Sequence, residues 1–87
     1  MPSSSEALMS LGRSFMGRLP DARLQLAMGY IDFGEEPLAL ETLCECLCDE
    51  VVSISRDEYD EVVRINQSLS WRLSSRMIDA LKALIDL

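Results

Sequence analysis

The sequence predicts an all-α protein, a compact bundle of roughly four to five short amphipathic helices in a single domain, residues 1–87. Three observations point there. Apolar residues recur at helical spacing in successive segments, as in Leu24, Ala27, Met28 and Ile31. Ser-x-x-Glu pairs, Pro20, Pro37 and Gly34 stand where helices would start or stop. Hydrophobic residues make up 48% of the chain but are spaced rather than clumped, which suits one modest core and excludes disorder.

Each element follows from its own residues. Ser3 and Glu6 have the spacing of a capping box and start a first helix near Ser4, with Leu8, Leu11, Phe15 and Leu19 on one face and Gly12 and Gly17 weakening it. Pro20 suits the first turn of a second helix, which Gly34 ends. Pro37 disfavours helical geometry at Glu36, so Glu36 is expected as the cap of a third helix and Pro37 as its first residue. Leu40, Leu43, Cys44, Leu47 and Val51 form its apolar stripe, while Glu41, Glu45 and Asp49 lie about 100–180° away. Cys46 is expected on the side opposite Cys44.

Val51-Val52-Ser53-Ile54 reads as an extended connector pinned to the core by β-branched residues. Ser55 and Glu58 form a second capping box with Ile54 as hydrophobic staple, and a fourth helix follows with Tyr59, Val62, Val63 and Leu69 inward. Asp57 and Glu58 suit its N-terminal dipole. Residues 70–75 read as a linker or weakened turn before a last helix carrying Met77, Leu81, Leu84 and Ile85. Trp71 either covers the edge of the core or anchors an interface.

Charge is distributed unevenly. Eleven of the fifteen acidic residues lie from Asp32 to Glu61, where Arg56 is the single basic residue, so this segment carries a formal −10 within a chain of net −7. Glu41, Glu45 and Asp49 at i, i+4, i+8 repel one another at about 0.2–0.5 kcal/mol per pair. Charge kept against such a cost serves either solubility or a cationic partner. Net −7 argues against direct nucleic-acid binding; Arg13, Arg18, Arg23, Arg72 and Arg76, outside the acidic segment, are candidates to pair with acids internally or to meet an acidic patch on a partner.

The chemistry of catalysis is poorly represented. There is no histidine, which removes the commonest general base and any Ser-His-Asp or Cys-His arrangement. No glycine-rich phosphate loop is present. The carboxylates fall on expected solvent faces, where nothing drives their pKa values apart. The chain is therefore read as a non-enzyme without cofactors. Cys44, Cys46 and Cys48 make a poor disulfide framework and, with no fourth cysteine, a poor zinc site; free thiols in a reducing cytoplasm are the expectation, and no metal is expected. The N-terminus lacks a signal-peptide pattern, and no apolar run approaches a membrane span of about 20 residues.

The run Asp32-Phe33-Gly34-Glu35-Glu36-Pro37-Leu38-Ala39-Leu40-Glu41-Thr42-Leu43-Cys44-Glu45, continued by Ile54-Ser55-Arg56-Asp57-Glu58-Tyr59 and Val62, resembles the MafI family of immunity proteins. These are small, mostly helical proteins encoded beside polymorphic bacterial toxins, including contact-dependent growth inhibition systems. The likeness covers about residues 30 to 65. It departs from the family pattern at Phe33 and Glu36, which flank the Gly-Glu pair, and at Cys46-Leu47-Cys48-Asp49-Glu50, where the family carries a tyrosine-rich segment.

The resemblance implies neutralisation of a cognate toxin C-terminal domain, often a nuclease and frequently a ribonuclease. A nuclease site must attract phosphate and is therefore basic, so an acidic inhibitor is suited to cover it. The expected contact residues are Glu35, Glu36, Glu41, Glu45, Asp49, Asp57, Asp60 and Glu61, with no membrane or direct nucleic-acid partner. The alternative is a small helical adaptor or regulatory subunit that binds its partner through an apolar groove around Trp71 and Met77. A DNA mimic would need a longer acidic face than one short helix pair supplies.

Overall fold

Five α-helices and one 3-10 turn are present in the computed structural model, which describes residues 3–70 and 72–87. They are α1 (Ser4–Arg13), α2 (Asp21–Gly29), a 3-10 turn (Tyr30–Phe33), α3 (Glu36–Asp49), α4 (Arg56–Ser68) and α5 (Ser75–Lys82). The described residues form no sheet, only the isolated bridges Met16–Leu19 and Ile54–Ile85. This is the all-α bundle the periodicity predicts.

The helix starts obey their caps. Ser3 Oγ accepts from the Glu6 N–H at 3.2 Å. At α4 both halves of the capping box form: Ser55 Oγ accepts from Glu58 N–H at 3.0 Å, and Glu58 Oε1 accepts from Ser55 N–H at 2.8 Å. Ser74 caps α5 by accepting from Met77 N–H at 3.1 Å, so the expected linker ends one residue before Ser75. Pro20 is the cap of α2 rather than part of its first turn. Glu35, not Glu36, precedes α3, and Pro37 lies within the first helical turn. Proline disfavours helical geometry in the residue before it without forbidding it, and the missing N–H is harmless in a first turn.

Two of the helix ends are closed by left-handed residues. Gly34, at φ 71°, closes the 3-10 turn; Glu35 N–H donates to Tyr30 O and Gly34 N–H to Ile31 O. The same pair of bonds closes α3, from Val52 N–H to Leu47 O at 3.0 Å and Val51 N–H to Cys48 O at 3.2 Å. Here the left-handed position holds Val51, at φ 50°. Its side chain is exposed, which corrects its expected place on the buried stripe of the third helix. A chain reversing at Val51 cannot continue the stripe of the helix it ends.

The third helix lies in the middle of the bundle, against α1, α2, α4 and α5. Leu40, Leu43, Cys44 and Leu47 are fully buried as their spacing requires. Ala39 and Cys46, a helical pair at i, i+7, are buried as well. This overturns the expected outward position of Cys46. A helix enclosed on several sides buries its small residues too, and an apolar stripe read against one neighbour misses them. Leu8, Leu11, Phe15, Leu19, Leu24, Ile31, Val62, Leu69, Leu81 and Leu84 complete the expected core, joined by Ile65. Tyr59, Val63, Met77 and Ile85 are half-buried.

The connector before α4 is pinned twice. Ile54 is buried, and its backbone pairs with the C-terminal segment through Ile54 N–H to Leu84 O at 3.0 Å and Asp86 N–H to Ile54 O at 2.9 Å. Leu84 and Ile85 thus sit beyond the end of α5, not on it. Asn66 is a buried polar residue that the sequence pattern did not single out; its Oδ1 accepts from Leu73 N–H at 2.8 Å and ties the 69–74 link to α4. Trp71 lies outside the described residues. No helix among them is long and apolar enough to cross a membrane.

Candidate partner-binding surface

The central place of α3 leaves it a narrow strip to solvent. Glu41 and Thr42 are half-buried, Glu45 and Asp49 exposed, and half-buried Cys48 borders the strip about 20° beyond Glu41, so the open side spans roughly 120° from Cys48 to Thr42. The acidic repeat therefore runs along the one side of α3 that no other helix covers. The packing face and the acidic face separate as the spacing predicts.

Half of the acidic segment is engaged inside the protein. Arg23 bridges from α2 to Asp49 at 2.9 Å and to Glu50 at 3.3 Å. Both acids end α3, where the macrodipole disfavours anions, and the guanidinium offsets that cost. Arg18 reaches across to Glu58 in a two-pronged pair, Nη1 to Oε2 at 2.7 Å and Nη2 to Oε1 at 3.1 Å. Its Nη2 also donates to Ser53 O at 2.6 Å, and its guanidinium stacks 4.7 Å from the Phe15 ring. One side chain thereby fastens the α1–α2 corner, the connector and the start of α4. Arg56 pairs with Asp60 at 3.3 Å, and Arg64 pairs with Glu61 one turn earlier on the same helix.

Titration follows these contacts. The Arg18 hydrogen bonds hold the Glu58 carboxyl below its ordinary value, with help from the Ser55 N–H. Ser5 Oγ donates to Glu36 Oε1 at 2.6 Å and lowers the Glu36 carboxyl. Burial pushes the Cys44 thiol far up, reinforced by the neighbouring Cys48, Glu45 and Glu41. Cys48 is raised too, by burial and by Asp49. These thiols are poor nucleophiles, and all three cysteines are free. No group of three or more metal-ligating His, Cys, Asp or Glu side chains occurs among the described residues.

The eight expected contact residues thus fall into two sets. Glu35, Glu41, Glu45 and Asp57 have no ion-pair partner among the described residues, and neither does Asp32. Asp49, Asp60 and Glu61 carry a basic partner, and Glu36 carries the Ser5 hydroxyl. Glu61 does not share the strip on α3: it lines a recess with Glu6, Met9, Ser10, Arg13 and Arg64 between α1 and α4. Of the arginines outside the acidic segment, Arg18 and Arg23 pair internally, whereas Arg13, Arg72 and Arg76 make no ion pair among the described residues.

A second surface was not anticipated. Between α1 and α2 runs an open apolar trough of about 450 Å³, lined by Met9, Met16, Leu24, Met28 and Ile31. Met9 and Met16 are 42% and 67% exposed. Phe33, beside it in the 3-10 turn, is 81% exposed. The only signal in the sequence was negative: Met9, Met16 and Phe33 fit none of the inward stripes. The apolar groove of the adaptor reading was placed around Trp71, which lies outside the described residues, and Met77, which is half-buried against the core.

Comparison with protein-family models, with curated proteins and with solved structures finds no match to this chain.

Proposed function

We propose that this protein is an immunity protein that binds and neutralises a cognate bacterial toxin domain, a nuclease by preference, by covering its basic surface. The observation that carries the reading is the set of uncompensated carboxylates, Glu41 and Glu45 on the open side of α3 with Asp32, Glu35 and Asp57, which remain after five acids of the same segment are consumed by arginines. A fold that needed negative charge only for its own ion pairs would not retain these five. Glu41 and Glu45 also stand at mutually repulsive spacing, a cost that contact with a cation would relieve. The sequence resemblance across residues 30 to 65 supports the same reading.

Attraction between such a face and a phosphate-binding site accelerates encounter and selects the partner more than it adds equilibrium affinity. Asp49 and Asp60 join the contact by exchanging their exposed intramolecular arginine for one on the toxin. Such surface pairs are worth about 0–1 kcal/mol, so the exchange is cheap. Glu58 stays with Arg18.

The test pairs this chain with the C-terminal domain of a large secreted protein encoded beside its gene. The Glu41→Lys/Glu45→Lys double variant should keep the circular dichroism spectrum of the parent and lose association rate steeply at low salt. Unchanged kinetics across a salt titration would overturn the assignment of this surface. The adaptor reading, in which an apolar groove carries the contact, expects the Glu41→Lys/Glu45→Lys variant to associate as the parent does.

A further inference from the structure

We propose that the trough between α1 and α2 is a docking site for a basic amphipathic helix of a partner protein. The inference goes beyond the toxin-binding reading and shares only Asp32 with the carboxylates that reading uses.

The construction of the trough argues for such an occupant. Gly12 shapes its floor: a Cβ there would lie 2.3 Å from Met28 Sδ, so the absence of a side chain lets the Met28 thioether rest against α1 where it does. With Met9 and Met16 at the edges, three flexible, polarizable side chains line one cleft. Surfaces of this kind adapt to apolar side chains presented at i, i+3/i+4 and i+7 by a docking helix.

The rim specifies charge. Asp21, in the first turn of α2, and Asp32, in the 3-10 turn, both line the trough and have no ion-pair partner among the described residues. Eleven residues of α2 and the 3-10 turn separate them in the chain, a length of roughly three turns of a partner helix at about 1.5 Å per residue. Lysine or arginine at both ends of an apolar stripe satisfies them, while Arg13 on the opposite wall accepts one acidic residue. A second copy of this chain is a poor occupant, because it brings a further net −7 to a rim that is already acidic. An anionic lipid surface is repelled for the same reason.

The experiment uses the full chain with 13C-methyl-labelled methionine and a synthetic Leu/Lys amphipathic peptide of about four turns. The expected result is movement of the Met9, Met16 and Met28 methyl signals with Met77 unmoved. Met16→Glu, at a position 67% exposed and tolerant of charge in the free protein, weakens binding by about tenfold or more. Asp21→Asn/Asp32→Asn flattens the salt dependence. Glu41→Gln/Glu45→Gln leaves peptide affinity within about threefold at physiological salt, where the Debye length is about 8 Å. That last arm separates this site from the strip on α3. The inference is overturned if the peptide moves none of the trough methyls, or if its Leu/Glu counterpart binds as well. It is also overturned if the Met9 and Met16 signals respond to protein concentration in the absence of peptide, which would make the occupant a second copy.

Discussion

Glu58 and Glu45 are both acids of the same segment, yet they should respond oppositely to loss of charge. Glu58 Oε1 receives the Ser55 N–H at 2.8 Å, and both its oxygens receive Arg18. Its side chain is 17% exposed and that of Arg18 37% exposed, so water shields the pair only partly. Glu58→Ala removes the reciprocal half of the capping box and a bidentate charged pair, which together cost about 1.5–2 kcal/mol. For a domain of this size that lowers Tm by roughly 10 °C. Glu58→Gln keeps an oxygen for the Ser55 N–H and loses only the charge, about 0.5–1 kcal/mol. Glu45→Gln, by contrast, relieves repulsion from Glu41 and Asp49 and should stabilise the fold by about 0.4–1 kcal/mol. Urea unfolding followed by circular dichroism, with a double-mutant cycle between Arg18→Ala and Glu58→Ala, measures all of these. The division into acids consumed by the fold and acids left free fails if Glu45→Gln destabilises as much as Glu58→Gln, or if the cycle gives no coupling.

Further outcomes follow from the same contacts. Val51 holds the left-handed position that ends α3, so Val51→Gly should stabilise by about 1 kcal/mol in thermal unfolding; a buried Val51 would make the same change destabilising. Gly12→Ala gains about 1 kcal/mol of helix propensity but drives the new Cβ into the Met28 thioether, so the expected net change is near zero, with the Met28 methyl signal displaced in NMR spectra. Because Glu58 and Glu36 titrate below their ordinary 4.5 in the folded state, the unfolded chain binds more protons as pH falls. Their stabilisation is complete above that value and is lost as pH falls through the folded values, so Glu58→Gln should flatten the stability curve between about pH 5 and pH 3. Cys44, buried and raised, should resist thiol reagents at pH 8 until the protein is unfolded in denaturant, when all three cysteines react.

The local signals in this chain were strong, and they set the elements. Ser3 and Ser55 occupy the expected caps because a hydroxyl accepts a free N–H at a helix start whatever surrounds it, and Ser74 does the same from within the stretch expected as a linker. Gly34 ends the 3-10 turn that follows α2, five residues after α2 itself stops at Gly29, because it adopts a left-handed backbone without strain. The stripe Leu40, Leu43, Cys44 and Leu47 was legible because helical spacing alone puts those residues on one side. The acidic strip on α3 was legible for the same reason.

Tertiary packing decided the rest, because neither enclosure nor pairing across distant segments leaves a periodic trace. Cys46 is buried since α3 is surrounded, and Val51 is exposed since the chain reverses there. Arg18 meets Glu58 across 40 residues and Arg23 meets Asp49 across 26, which determines which charges stay free for a partner. The trough between α1 and α2 is lined by residues of both, and its floor holds the contact of Gly12 with the Met28 side chain, which no pattern within either helix contains. The sequence by itself therefore determined where helices form and which side of each is apolar. Only the folded chain determined which acids are spent internally and where an apolar surface is left open, since both depend on distances between residues far apart in the chain.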